Sequence, residues 1–290
     1  MTKSEPAARA ARLYTPQILT RAELRQRGFT GRALTNAVSE GRLLRLRRDR
    51  YAAVDIDPAI AEAVRIGGRL SCLSLLHLLG IFVHECVNLH VHIAPGTTRL
   101  RAPAADSTVL HWKAWSGDAA LRHAVSIRDA VLQAVHCQPP RAAIATLDSV
   151  IHHGLLTMND LRDVFADLPR RCRPLLRLVD GSAGSGPETY LRLLLRTLGL
   201  NYETQVLIAG VGYVDFVVDG WLIIECDSRE FHADWPQQVK DRHRDIVAAA
   251  QGYVTIRPVA SDILGNGAAV GAWIRSIVDV LGPRFAGRRA

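Results

Sequence analysis

The segment from Val214 to His232, VDFVVDGWLIIECDSREFH, constrains the fold more than any other stretch of the chain. Two β-like apolar runs meet at Asp219-Gly220, a dipeptide that favours a hairpin. Each run carries acids that folding alone does not require: Asp215 inside the first, Glu225 and Asp227 at the end of the second. A carboxylate in a near-continuous apolar strand is costly unless a cation meets it. A divalent metal is the natural partner. Strand side chains alternate between faces, so the turn decides whether these acids converge. A two-residue turn pairs Val218 with Trp221 and sends Asp215 and Glu225 to opposite faces. A three-residue turn with Gly220 left-handed returns them to one face. A shared site therefore predicts an odd-length turn or a bulge.

The 290-residue length allows two or three domains, and 48% hydrophobic content suffices for a sizeable core. The formal charge is +8 and the pI about 9.6, carried mostly by arginine, the side chain suited to phosphates and base edges. Cys72, Cys86, Cys137, Cys172 and Cys226 are odd in number and lack paired spacing, which argues against a disulfide framework or a zinc ribbon. The most apolar stretch, Leu73 to Val83, falls well short of the roughly 20 residues that span a bilayer. The expectation is a soluble cytoplasmic protein without membrane attachment.

Residues 15–52 read as helix, turn, helix and two short basic strands. Thr20 caps a first helix with Glu23 in capping-box position, Gly28 ends it, and Thr30 caps a second helix that stops at Gly41. Ala33, Leu34, Ala37 and Val38 are expected in the core, leaving Arg32, Thr35, Asn36 and Ser39 outward to meet phosphates and base edges. The following LLRLRRDRYA alternates at strand period, as the wing of a winged helix-turn-helix would, with Arg45, Arg47, Arg48 and Arg50 set for the DNA backbone. The competing reading is a solvated basic hairpin with another purpose.

From Asp57 to Asp180 the pattern is mixed α/β. His84, Cys86, His90 and His92 are all metal-ligand types, but their spacing favours histidines on a half-exposed sheet face over a metal site. GSAGSG at 181–186 reads as a flexible linker. Pro187 then opens a helix with Glu188 in its first turn and a Leu191, Leu194, Leu195, Leu198 stripe. Three strands, a helix, a strand and a last helix follow. The expected fold class is mixed α/β, with 1–55 as a winged helix-turn-helix, 56–180 as an α/β middle domain, and 181–290 as an α-β-β-β-α-β-α domain.

The N-terminal residues resemble the winged-helix domain of AbiEi-type antitoxins of type IV toxin–antitoxin systems, and a weaker likeness continues through the middle segment. Over roughly the last 105 residues, Glu188, Asp215, Glu225, Asp227 and His232 resemble the acidic signature of the PD-(D/E)xK nuclease superfamily. The narrower likeness is to its DUF559 group, related to very short patch repair endonucleases. These resemblances imply a restriction-endonuclease-like core acting on double-stranded DNA with Mg²⁺ or Mn²⁺. They imply metal ligation by Asp215 with Glu225 and Asp227, support from Glu188, and an acid/base or phosphate role for His232. Arg229, Arg242 and Arg244 flank these acids, with Asp241 and Asp245 as helix partners. The superfamily lysine is replaced by Asp227, with Lys240 a candidate substitute, and Ser228 stands where many relatives have glycine. The alternative is a non-catalytic, antitoxin-like repressor of its own type IV toxin–antitoxin operon whose nuclease-like domain serves for partner or DNA contact. A cognate toxin or a repair partner is the further partner expected. The bland reading of the acids is that Asp215 and Glu225 neutralise nearby arginines or belong to a nuclease relic that serves as a scaffold.

Overall fold

The structure, a computed structural model, describes residues 4–15, 17–104, 107–114, 121–227 and 235–285. The chain is mixed α/β, about 50% helical and 16% strand. It divides into two compact units: residues 1–143 with 153–178, and residues 144–152 with 179–290. Residues 1–55 and most of 56–180 thus share one unit. Among the described residues no helix is long and apolar enough to cross a membrane.

The first unit begins with α1 (Ser4–Leu13), α2 (Arg21–Gln26) and α3 (Gly31–Ser39), then β1 (Leu44–Arg47) and β2 (Arg50–Ala52). Thr20 and Glu23 close a full capping box on α2, and the Thr30 hydroxyl caps α3. Leu24, Leu34 and Tyr51 form a small core, with Leu19, Phe29, Val38 and Leu43 against it. Ala33, expected inside, is exposed: it lies in the first turn of α3, one position off the Leu34–Ala37–Val38 stripe. β1 and β2 pair antiparallel with an irregularity between Arg45 and Arg47, and Leu19 exchanges both backbone hydrogen bonds with Tyr51 at 2.9 Å. At the hairpin tip Asp49 has φ 57° and accepts a hydrogen bond from the Arg21 amide at 2.7 Å. The turn is thereby tied to the start of α2.

The unit continues through α4 (Pro58–Ile66), β3 (Arg69–Leu70), α5 (Cys72–Leu78), β4 (His90–Ile93), β5 (Val109–Trp112), α6 (Ile127–Cys137), α7 (Pro140–His152), α8 (Met158–Ala166) and α9 (Arg173–Leu176). α7 runs from the first unit into the second. β3, β4 and β5 make a three-stranded sheet in that order, antiparallel then parallel.

The second unit contains α10 (Gly186–Leu198), β6 (Tyr202–Ile208), β7 (Gly212–Val218), β8 (Leu222–Ile224), α11 (Trp235–Ala250), β9 (Val254–Ile256), α12 (Ala260–Gly265) and α13 (Gly267–Phe285). The four strands form one sheet in sequence order, antiparallel through β8 and parallel at β9. One sheet face packs Phe216, Val218, Leu222 and Ile224 against α10, α12 and α13; Val217 and Ile223 on the other face meet Ala248 of α11. Gly199, φ 69°, ends α10 as expected. The 181–186 segment is tied down despite its linker-like composition. Ala183 is buried, Gly184 donates to Glu188 at 2.8 Å, and Ser185 caps α10. Buried Asp148 on α7 accepts from Thr189 and Arg192 of α10 at 2.8 Å each, and from the Asp180 amide at 2.7 Å.

Candidate functional site

The β7–β8 register positions the acids. Val218 pairs with Leu222, Val217 with Ile223 and Phe216 with Ile224, leaving Asp219, Gly220 and Trp221 as a three-residue turn. Gly220 has φ 78° and Asp219 φ 49°. The turn is odd, so Asp215 and Glu225 stand opposite each other on one face. The same level extends across the sheet. Thr204 pairs with Phe216 and Val206 with Val214, which puts Gln205 beside Asp215; Ile224 pairs with Ile256, which puts Arg257 beside Glu225. A polar row, Gln205–Asp215–Glu225–Arg257, thus runs from β6 and β7 to the residues just past the ends of β8 and β9.

Glu188 reaches this row from the first turn of α10. The Gln205 amide, on a residue with φ 53°, donates to Glu188 at 3.1 Å and to Asp215 at 3.5 Å. Asp215 also accepts from the Cys226 amide at 2.8 Å. Burial pushes the Glu188 carboxyl above its ordinary value, and the neighbouring Asp215 pushes it further. Burial likewise raises Asp215, aided by Glu225 and opposed mainly by the Cys226 N–H. Burial and all three acids keep the Cys226 thiol protonated. Glu188 and Asp215 therefore form a desolvated pair of acids held together by one shared amide donor.

Glu225 is differently placed. One of its oxygens meets Arg244 at 2.9 Å and the other meets Arg257 at 2.7–2.8 Å. Arg257 also forms a two-pronged pair with Asp245, whose charge, with that of Glu225, holds this guanidinium firmly protonated. Arg244 also donates to the Val211 and Tyr213 carbonyls, at 2.8 and 2.7 Å, and its Nη1 lies 3.8 Å from Asp241. Arg244, expected at phosphates, is thus an internal brace, and Asp245 pairs with Arg257 instead of a neighbour on its own helix. Asp227 is exposed, and its backbone bridges to Val259. Arg242 is exposed on α11. Arg229 and His232 lie outside the described residues, as does Ser228.

Glu188 and Asp215 suit a hard dication, since both are carboxylates with raised proton affinity and a common focus. Glu225 does not suit it in this arrangement, because both oxygens already carry guanidinium partners. Among the described residues, the acids do not supply three ligand atoms within 4.8 Å of one another. The sequence reading missed Gln205 and Arg257. The signal for each was positional: Gln205 becomes significant through its level in the sheet, and Arg257 arrives from a strand 32 residues beyond Glu225.

In the first unit, Arg32, Thr35, Asn36 and Ser39 are all exposed on α3. The Thr35 and Ser39 hydroxyls donate back to the Gly31 and Asn36 carbonyls, at 3.1 and 3.0 Å, leaving their oxygens as acceptors. Arg45 and Arg48 are exposed on the hairpin, and Arg47 and Arg50 are half-buried. Arg47, Arg48, Arg50, Arg69 and Arg122 line a cavity of about 280 Å³. Among the described residues, Glu23 pairs with Arg122 at 3.0 Å and Asp49 with Arg50 at 3.7 Å. Burial, then the nearby Arg101 and Arg50, depresses the Arg47 guanidinium, the signature of crowded cations. No protein-family model matches the chain, and no curated protein matches it significantly.

Proposed function

We propose that this is a double-stranded-DNA-binding protein whose second unit hydrolyses phosphodiesters with Mg²⁺ or Mn²⁺. The observation that carries the reading is the three-residue Asp219–Trp221 turn, which sets Asp215 opposite Glu225, while Gln205 bridges Asp215 to Glu188. An α10–β6–β7–β8–α11–β9 order with a parallel last strand is the arrangement expected of a restriction-endonuclease-like core. Glu188 and Asp215 would hold the metal. When bound, it supplies a Lewis acid that lowers the pKa of a water and offsets charge developing on the phosphate. Glu225, fixed by Arg244 and Arg257, would act as a positioning residue at the same level of the sheet as Asp215. The α2–α3 pair and its hairpin serve as a winged helix. In this reading α3 presents Arg32, Thr35, Asn36 and Ser39 to base edges, while Arg45, Arg47, Arg48 and Arg50 meet phosphates.

One observation favours a second reading, a non-catalytic regulator of the antitoxin type that uses the same DNA interface. Both oxygens of Glu225 are neutralised by arginines and Asp227 is exposed, which leaves Glu188 and Asp215 as the desolvated acids of the nuclease pattern.

Supercoiled plasmid incubated with Mg²⁺ or Mn²⁺ separates the two. The nuclease reading expects metal-dependent nicking by the wild type and its loss in Asp215→Ala. Binding without cleavage under every metal condition, or nicking that survives Asp215→Ala, assigns the protein to the regulator class or the activity to another site.

A further inference from the structure

Away from the acids, four ligand-type side chains of the first unit converge. Cys72 opens α5 directly after β3, His90 starts β4, His111 lies in β5 and Cys137 ends α6. Their ligand atoms all lie within 4.8 Å of one another. The His90 Nδ1 and His111 Nε2 are 3.0 Å apart, and the Cys137 sulfur is 3.9 Å from the same His111 nitrogen. Tetrahedral zinc with Zn–N of about 2.0–2.1 Å and Zn–S of about 2.3 Å has edges of roughly 3.3 Å between nitrogens and 3.6 Å between nitrogen and sulfur. The observed separations fall near those edges.

We infer that Cys72, His90, His111 and Cys137 form a Cys₂His₂ site for Zn²⁺. Thiolate with imidazole is the donor set that selects a borderline-soft d¹⁰ ion over Mg²⁺ or Ca²⁺. Four protein ligands leave no open position, so the role is structural. The metal would pin two helices to two strands of a sheet whose strands are only two to four residues long. Three features prearrange the site. Cys72 and His90 are fully or almost fully buried, so water competes little for them. Cys72 has φ 50°, a left-handed conformation that strains a residue with a Cβ and recurs at ligand-holding positions. The His90 amide donates to the Ser74 hydroxyl at 2.9 Å, which fixes the backbone from which that imidazole projects. Cys137 is exposed and lines, with His90, a cavity of about 380 Å³, which provides an entry path.

Of the four residues the sequence suggested as a cluster, only His90 belongs. Its neighbour His92 meets Gln133 at 3.2 Å, and Cys86 lies 3.8 Å from the Ser74 hydroxyl. The true set has no compact spacing: His90 and His111 are 21 residues apart, and His111 and Cys137 are 26 apart. Only a parallel pairing of β4 with β5 brings them together.

The test is metal content of the full chain, purified with reductant from zinc-supplemented cells, by inductively coupled plasma mass spectrometry. Stoichiometric zinc that survives dialysis is expected. Cys137→Ser should weaken it by more than the roughly 10- to 100-fold that loss of an outer-shell partner costs. Cys86→Ser should leave it unchanged. Because cysteine variants can misfold, the wild type is also loaded with Co²⁺, which should give thiolate-to-cobalt charge transfer and tetrahedral d–d bands. The inference is overturned if wild-type protein takes up neither metal, if the cobalt spectrum lacks thiolate ligation, or if Cys72→Ser/Cys137→Ser keeps its zinc. A Cys72–Cys137 disulfide without metal uptake overturns it in favour of a redox pair.

Discussion

Asp215 is the residue on which the second unit turns, and its titration reports how the polar row is wired. Burial raises its carboxyl, Glu225 raises it further, and the Cys226 N–H and the Gln205 amide lower it. Glu225→Gln removes a negative neighbour, so the Asp215 pKa should fall; Gln205→Ala removes a donor to the carboxylate, so it should rise. Carboxyl ¹³C NMR titration reads both, and equal values in all three proteins would show that the row is not coupled. The sign for stability follows. A folded-state carboxyl pKa above the unfolded one favours the fold below the unfolded value, an advantage lost as pH rises through the folded value. Asp215→Asn should therefore raise the urea midpoint at neutral pH, with the gain vanishing at pH values below the ordinary carboxylate range. A midpoint that drops at neutral pH would mean that the Asp215 charge is compensated rather than strained.

At the scale of elements, the Asp219–Trp221 turn controls which faces the acids occupy. Gly220, at φ 78°, occupies a region that costs other L residues roughly 1–2 kcal/mol. Gly220→Ala should lower unfolding free energy by about 1 kcal/mol in urea melts while leaving the register intact. Loss of plasmid nicking beyond that destabilisation would show that the turn sets the acids more finely than register alone. This turn was legible in the sequence because strand parity is strict: converging acids required an odd loop. Capping residues Thr20, Glu23 and Thr30, the Pro187 start and the Gly199 stop were legible for a similar reason, since each satisfies local backbone groups. What stayed hidden depends on tertiary pairing. Arg257 neutralises Glu225 only because β9 lies parallel beside β8, and the Cys72–His90–His111–Cys137 set needs four elements to meet. The short β3 and α12 carry too few residues to show a period. Ala33 fell to a one-position error in phase, the least reliable part of a helical pattern.

For the whole molecule the net charge of +8 is a statement about partners, not about fold. Cations that neutralise phosphates release counterions, so log affinity falls with log salt at a slope near −0.9 per contact on duplex DNA. Arg45 and Arg48 are exposed on the hairpin, and the Arg47 guanidinium is depressed first by burial and then by the nearby Arg101 and Arg50. A phosphate arriving there would attract Arg47 and its cationic neighbours together. Arg47→Ala plus Arg48→Ala should therefore make the salt slope shallower by about 2, weakening specific and non-specific duplexes alike. Asn36→Ala on α3 should instead leave the slope unchanged and narrow the gap between specific and random sequence, since a neutral side chain reads base edges without releasing ions. Fluorescence anisotropy of labelled duplexes across a salt series measures both quantities. A slope that survives the double arginine change would move the electrostatic footprint away from the hairpin, to the exposed arginines elsewhere on the chain.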